Sequence, residues 1–289
     1  MTDKLQMIDS HFHIFDAKEL ELPWLELFDG KLKSRYTFED YKDAHKNYDF
    51  GKSVYLEVDV ADEANADKEA QIITKLCDQH KDKLFAVLGA RLESETFAEY
   101  IKKHANHPSV SGVRQNFFCV DEPMELLQAP AFKKNMALLQ DLSLSLDVVV
   151  IADKLDEMIS LAKNHPATKI IINHCGLLTP DNKDEALKQH WQEAVSTLAE
   201  YPNVYMKISD FTFLSKNNDW GVDDIAPTVE YCLEVFDEDR VLYGSNWMVC
   251  TVNGSLDRWL EALLQIIGKQ SGLKQKLFYD NADQLYCSN

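Results

Sequence analysis

No two of the six cysteines in this chain (Cys77, Cys119, Cys175, Cys232, Cys250, Cys287) are spaced as Cys-x-x-Cys. Scattered thiols in a chain of 289 residues, long enough to bury a large core without staples, point to reduced cysteines and a cytoplasmic protein. No apolar run approaches the roughly 20 residues that span a bilayer, and the first six residues lack the apolar stretch of a secretory signal. Basic residues are also scarce. Thirty Lys and Arg stand against 48 Asp and Glu, a formal net charge of -18, so nucleic acid and anionic membrane surfaces would be repelled over most of the surface. Finally, no Gly-x-Gly-x-x-Gly follows the first apolar run, which argues against a dinucleotide-binding open sheet and an organic cofactor of that kind.

What is present is alternation. With 45% hydrophobic residues the chain can bury one large core, and residues 1–289 are read as a single domain. A first strand begins at Met7. A long charged and aromatic stretch, 14–50, follows, broken at Pro23-Trp24 and Asp29-Gly30, with a short helix expected around 37–48. Apolar β-rich runs are then expected at 53–58, 84–90, 110–114, 145–151, 169–173, 204–208 and 240–244. Helix-spaced segments follow them at 62–80, 95–105, 131–141, 154–164, 183–200, 222–236 and 256–268, and a short helix near 277–286 ends the chain. About eight strands, nearly all followed by a helix, predict an α/β fold, a (β/α)8 TIM barrel with a long loop after the first strand. A doubly wound open sheet is the alternative.

In such a barrel the chemistry lies where the strands end. Those ends carry His11 and His13, Glu57 and Asp59, Arg91, Arg114, Asp147, His174, Lys207 with Asp210, and Asn246. His11 and His13, two residues apart on a strand, would turn both rings to one side. Each residue also has a structural explanation: Glu57 as a helix cap, Arg91 paired with Glu93, Lys207 as an edge charge. So many polar strand ends together point to one convergent site.

The segments 8–16, 112–114, 172–176, 202–209 and 239–247, read in order, resemble the amidohydrolase-related family of the amidohydrolase superfamily. They are most similar to its branch of sugar-lactone and 2-pyrone-4,6-dicarboxylate lactonases, and the likeness runs from Ile8 to the C-terminus. It implies a hydrolase in which water attacks a lactone carbonyl, with or without a divalent metal such as zinc on His11, His13 and His174. His174, Lys207 or the metal would polarise the carbonyl. Arg114, Arg91, Glu57 and Trp24 would meet a small anionic or polyhydroxylated substrate. Trp24 and Trp247 could stack on a ring, or simply pack. Assembly into homo-oligomers is left open.

One departure matters. The family's last strand usually reads Gly-Ser-Asp-Trp-Pro, the Asp taking a proton from water, but here it reads Gly244-Ser245-Asn246-Trp247-Met248. A neutral amide is no general base. Either Asn246 only orients water or substrate, or the base has moved, with Asp210 the expected replacement, or hydrolysis is lost. Three readings follow: a lactone hydrolase, a metal-dependent decarboxylase of an unsaturated or aromatic acid, and a homologue that binds a ligand without turnover.

Overall fold

The computed structural model describes residues 5–28, 30–216, 218–268 and 270–288. The first four residues and Asp29, half of the expected Asp29-Gly30 break, lie outside them. Among the described residues, eight parallel strands run in chain order round one sheet. They are β1 (Gln6–Phe12), β2 (Asp49–Leu56), β3 (Leu84–Gly89), β4 (Val110–Asn116), β5 (Ser145–Val149), β6 (Ile170–Ile172), β7 (Val204–Ser209) and β8 (Val241–Gly244). Each is followed by a helix: α1 (Phe38–Ala44), α2 (Glu63–Gln79), α3 (Phe97–His104), α4 (Pro130–Asp141), α5 (Leu155–Asn164), α6 (Glu185–Ala199), α7 (Val222–Val235) and α8 (Leu256–Ile267). The two ends of the sheet meet. Phe12 bridges Trp247 in parallel, the Asn246 N–H donates to the His11 carbonyl at 2.8 Å, and the His13 N–H donates to the Trp247 carbonyl at 2.6 Å. The result is the nearly closed (β/α)8 barrel that the alternation predicts.

Local chemistry accounts for the elements. Side-chain oxygens of Asp62, Asp184 and Ser255 accept from the first-turn N–H groups of α2, α6 and α8, and Thr37 with Asp40 forms a capping box on α1. All three residues of β6 are buried isoleucines, as a strand covered on both faces requires. On β5 to β7, Leu146, Val148, Ile170, Ile172, Met206 and Ile208 belong to the core shared with the helices. Asp147, Ile171 and Lys207, at the alternate positions, face the barrel interior.

Three departures from the sequence expectation have physical causes. β2 starts at Asp49, earlier than expected, because Asp49 and Phe50 pair with Gln6 and Met7. The 14–50 stretch is partly ordered by a two-stranded antiparallel clip, Phe15–Asp16 against Arg35–Tyr36, and by a 3-10 turn at Pro23–Phe28. An extra short helix, Pro123–Gln128, precedes α4, started by a proline at its first turn. The last segment winds through two π-helical stretches, Lys276–Asp280 and Asp283–Cys287. From it Ala282, Leu285 and Tyr286 pack on the interior residues Ile8, Val54, Phe85, Ile171 and Leu242, plugging the N-terminal mouth of the barrel. Among the described residues no helix is long and apolar enough to cross a membrane.

The closure between β1 and β8 leaves no room for a side chain at Gly244. A Cβ there would sit 2.6 Å from His11 Cβ and 2.9 Å from Ser209 Cβ. Gly244→Ala is therefore expected to lower the unfolding free energy by about 1–3 kcal/mol, the usual cost of overpacking, read by urea denaturation; a neutral result would mean that the two strands are not this close.

Candidate active site

β1 carries the first two functional side chains, and an irregularity aims them. Ile8 faces the barrel interior, whereas Phe12, which simple alternation would also turn inward, packs outside on Tyr41 with ring centroids 3.9 Å apart. The β1–β2 register shifts between Asp9 and Phe12, a bulge that reverses the parity and sends His11 and His13 to the interior side. Their Nε2 atoms meet at 3.1 Å. His13 donates Nδ1–H to the Leu56 carbonyl at 2.9 Å, which leaves its Nε2 as an acceptor. His174 sits just past β6, its ring centroid 4.5 Å from that of His11. Ser209 Oγ accepts from the His174 main-chain N–H at 3.1 Å and lies 2.9 Å from Nδ1. A second lone pair remains on the hydroxyl, so it can donate to Nδ1 or accept from it; where it donates, the ring's own hydrogen sits on Nε2.

These three rings are neutral at pH 7. Burial pulls His11 and His174 well below the usual histidine range, and neighbouring positive charge on Arg114 and Lys207 adds to the effect. Burial, then Arg114, brings His13 down to about 3.

Two ion pairs lie beside and below the rings. Arg114, on β4, donates Nε–H to Glu57 Oε1 and Nη2–H to the Glu57 carbonyl, both at 2.6 Å. Lys207, on β7, donates to Asp147 Oδ1 at 2.6 Å and to the Ser10 carbonyl at 3.0 Å. Asp147 also accepts from Asn173 Nδ2 at 2.8 Å and from the Tyr286 hydroxyl at 2.7 Å. Burial lowers the Lys207 pKa while Asp147 opposes the shift.

A cavity of about 340 Å³ opens at the C-terminal mouth of the barrel. It brings together His13, Asp59, His174, Arg114, Asn246 and Trp24 of the residues singled out from sequence, and adds Asn116 and Lys31. Its walls are largely apolar: Phe28, Phe118, Phe213, Leu214, Val249 and Val252. Trp24 is fixed by donating Nε1–H to the Val58 carbonyl at 2.6 Å, whereas Trp247 packs against Tyr36 and Tyr41. Arg91, Glu57, Lys207, Asp210 and His11 are not among the lining residues. Arg91 is tied to the Val60 carbonyl, and Glu57 and Lys207 are held in their ion pairs. Asp210, expected to supply the missing carboxylate, turns Oδ1 onto the N–H and hydroxyl of Thr212 at 3.0 and 2.6 Å, while its Oδ2 is buried without a hydrogen-bond partner and outside the cavity lining. Asn246 Nδ2 donates to the Asp210 carbonyl at 3.2 Å. A carboxylate at that position would set two acceptors against each other.

The donor set meets only part of what a metal needs. Two imidazole nitrogens 3.1 Å apart suit a shared ion at about 2.0–2.1 Å from each, but zinc takes at least three protein ligands. Among the described residues, no three His, Cys, Asp or Glu side chains gather round one point, and His11 Nδ1 is buried with no hydrogen-bond partner where a ligating histidine normally has outer support. The zinc triad expected at His11, His13 and His174 is thus two nitrogens and a neighbouring ring, short of a site.

The profile of the amidohydrolase family matches residues 8–287. The chain belongs to the amidohydrolase family. Among individual relatives of this amidohydrolase, a Sinorhizobium fredii protein of uncharacterised function is 28% identical over 98% of both chains. An L-fucono-1,5-lactonase of Burkholderia multivorans is 24% identical over 89% of each. In fold, it superposes on a Burkholderia multivorans amidohydrolase solved with bound zinc, at a TM-score of 0.86 and 20% identity, covering 97% of this chain and 99% of that one.

Two tests follow. Lys207→Met strands the buried Asp147 carboxylate and is expected to cost about 3–5 kcal/mol of stability. Adding Asp147→Asn, which removes the charge but keeps an oxygen for Tyr286, should recover part of that loss in urea titrations. The second concerns His13. Its folded pKa lies below its unfolded value of about 6.5, so its contribution to stability is present above pH 6.5 and lost as pH falls and the unfolded chain takes the proton. Between pH 6.5 and 4, His13→Gln should lose stability less steeply than the parent, by close to one proton in the slope.

Proposed function

We propose that this amidohydrolase opens a small lactone by attack of water on its carbonyl, the ring carrying a carboxylate. The observation that carries this reading is the convergence of His174, Arg114 and Asn246 on one cavity at the C-terminal mouth. The Nε2–H of neutral His174 is suited to hold the carbonyl oxygen as negative charge develops there, the interaction that usually supplies most of the acceleration. Arg114 uses Nε and Nη2 on Glu57 and has Nη1 without a protein partner among the described residues, available to a substrate oxygen. Asn246 positions the attacking water without accepting its proton. The likeness to a lactonase of Burkholderia multivorans supports the reaction type.

The cavity walls narrow the substrate within this reading. A hydroxyl-rich sugar lactone would set its polar groups against Phe118, Phe213 and Val252 without hydrogen bonds, a costly arrangement. A flat or alicyclic lactone acid buries its ring there and pairs its carboxylate with Lys31 or Arg114. The incomplete donor set weighs against the metal-dependent decarboxylase reading.

The experiment is a panel of aldonolactones and pyrone carboxylates followed by acid release at pH 7.5, with CO₂ and calorimetric binding measured in parallel. Ring opening of carboxylated lactones ahead of aldonolactones is expected. Release of CO₂ without ring opening would replace the proposal with a lyase, and binding without turnover would replace it with a ligand-binding protein.

A further inference from the structure

With Asn246 unable to take a proton and Asp210 buried outside the cavity lining, the hydrolysis proposed above lacks a base. We propose that Asp59 is that base: its carboxylate takes the proton of the attacking water and returns it to the oxygen that leaves the lactone ring. This assignment rests on the hydrolase reading.

Asp59 is the one carboxylate among the described residues lining the cavity, which it shares with His174, Arg114 and Asn246. Its position is built rather than incidental. β2 ends at Leu56, and the chain then turns, with Asp59 in the left-handed region at φ 48°, a conformation uncommon outside glycine that aspartate tolerates better than most. The Asp59 N–H donates to Glu57 Oε2 at 2.5 Å, and its Oδ2 accepts from Asn116 Nδ2 at 2.9 Å. Glu57 is in turn held by Arg114, so the group that binds the substrate oxygen and the group that takes the proton hang on one glutamate. Among the described residues Asn116 alone donates to the Asp59 carboxylate, which leaves its other oxygen for water.

Its basicity is also suitable. Burial, with the nearby Glu57 charge, lifts Asp59 to about 6, while Arg114, Asn116 and Arg91 pull the other way. It is ionised at pH 7, yet closer to neutrality than an exposed aspartate, as a general base should be. The histidines on the cavity are poorer: His13 has fallen to about 3 and His174 lies well below its usual range.

The step balances without a further reactant. The water oxygen bonds to the carbonyl carbon as its proton passes to Asp59, and the carbonyl electrons move onto an oxyanion beside His174 and Arg114. When the oxyanion collapses, the ring C–O bond breaks. Asp59 gives its proton to the departing oxygen, leaving a hydroxy acid and the starting carboxylate.

The test compares the full-length protein with Asp59→Asn and Asp59→Gly on a lactone that the parent opens, with melting temperatures as a folding control. Asp59→Asn is expected to reduce kcat by about 10²–10⁴-fold, the usual worth of a general base, while KM changes by less than about fivefold. Asp59→Gly suits the left-handed backbone and should regain activity in a saturable way when formate is added. An Asp59→Asn protein that folds and keeps kcat within about threefold of the parent overturns the assignment and leaves the hydrolase reading standing. So does a folded Asp59→Gly protein that is inactive and unresponsive to formate, which also decides the case if Asp59→Asn does not fold. A parent protein that opens no lactone removes the hydrolase reading and this assignment together.

Discussion

The carboxylate of Asp9 joins the first strand of the barrel to the last. Its Oδ1 accepts from the N–H groups of Ser245 and His11 at 2.8 and 3.1 Å, and its Oδ2 accepts from the hydroxyls of Ser245 and Tyr41 at 2.6 and 2.8 Å. Fully buried, it would be costly without such partners. Burial still raises its pKa to about 6, with the Ser245 and Tyr41 bonds pulling downward. The four bonds do several things at once. They close the ring, they anchor α1 and with it the long loop that carries Trp24 and Lys31 to the cavity, and they set His11 beside Asn246 across the seam. Parallel strands pair only through long connections, so the joint between residues some 236 positions apart has to be made by side chains as much as by the ladder.

Inside the ring, charge is handled in two layers. Asp147 and Lys207 neutralise each other in a space with no exposure for either side chain, and Tyr286 from the C-terminal plug completes the acceptor set of Asp147. Nearer the mouth, Glu57 does the same for Arg114. Burial, with these cations adding to it, keeps the histidines above them uncharged and capable of donating or accepting single hydrogen bonds. The site thus presents single hydrogen-bonding groups more than a strong positive field.

The replacement of the family's aspartate by Asn246 is better understood through the Asp210 carbonyl it touches than as a simple loss. The amide satisfies a main-chain acceptor, and the carboxylate lining the same cavity among the described residues is Asp59. The cavity thus joins the residues after β8 to the left-handed turn after β2, two places far apart in the chain.

Much was legible from local pattern alone. The apolar runs and capping residues specify the strands and helices in order, because periodicity and terminal hydrogen bonding are short-range properties, and His13, His174, Arg114 and Asn246 could be picked out because they lie at or just past the ends of those strands. Which of the polar strand ends would share a cavity was beyond that pattern. A bulge reverses the parity of β1, Asp59 itself adopts the left-handed conformation at the turn after β2, Thr212 engages one oxygen of Asp210, and the C-terminal plug sets Tyr286 against Asp147 and Lys207. Each of these depends on partners distant in the chain, and a side chain's direction at a strand end is decided by such partners rather than by its neighbours in sequence.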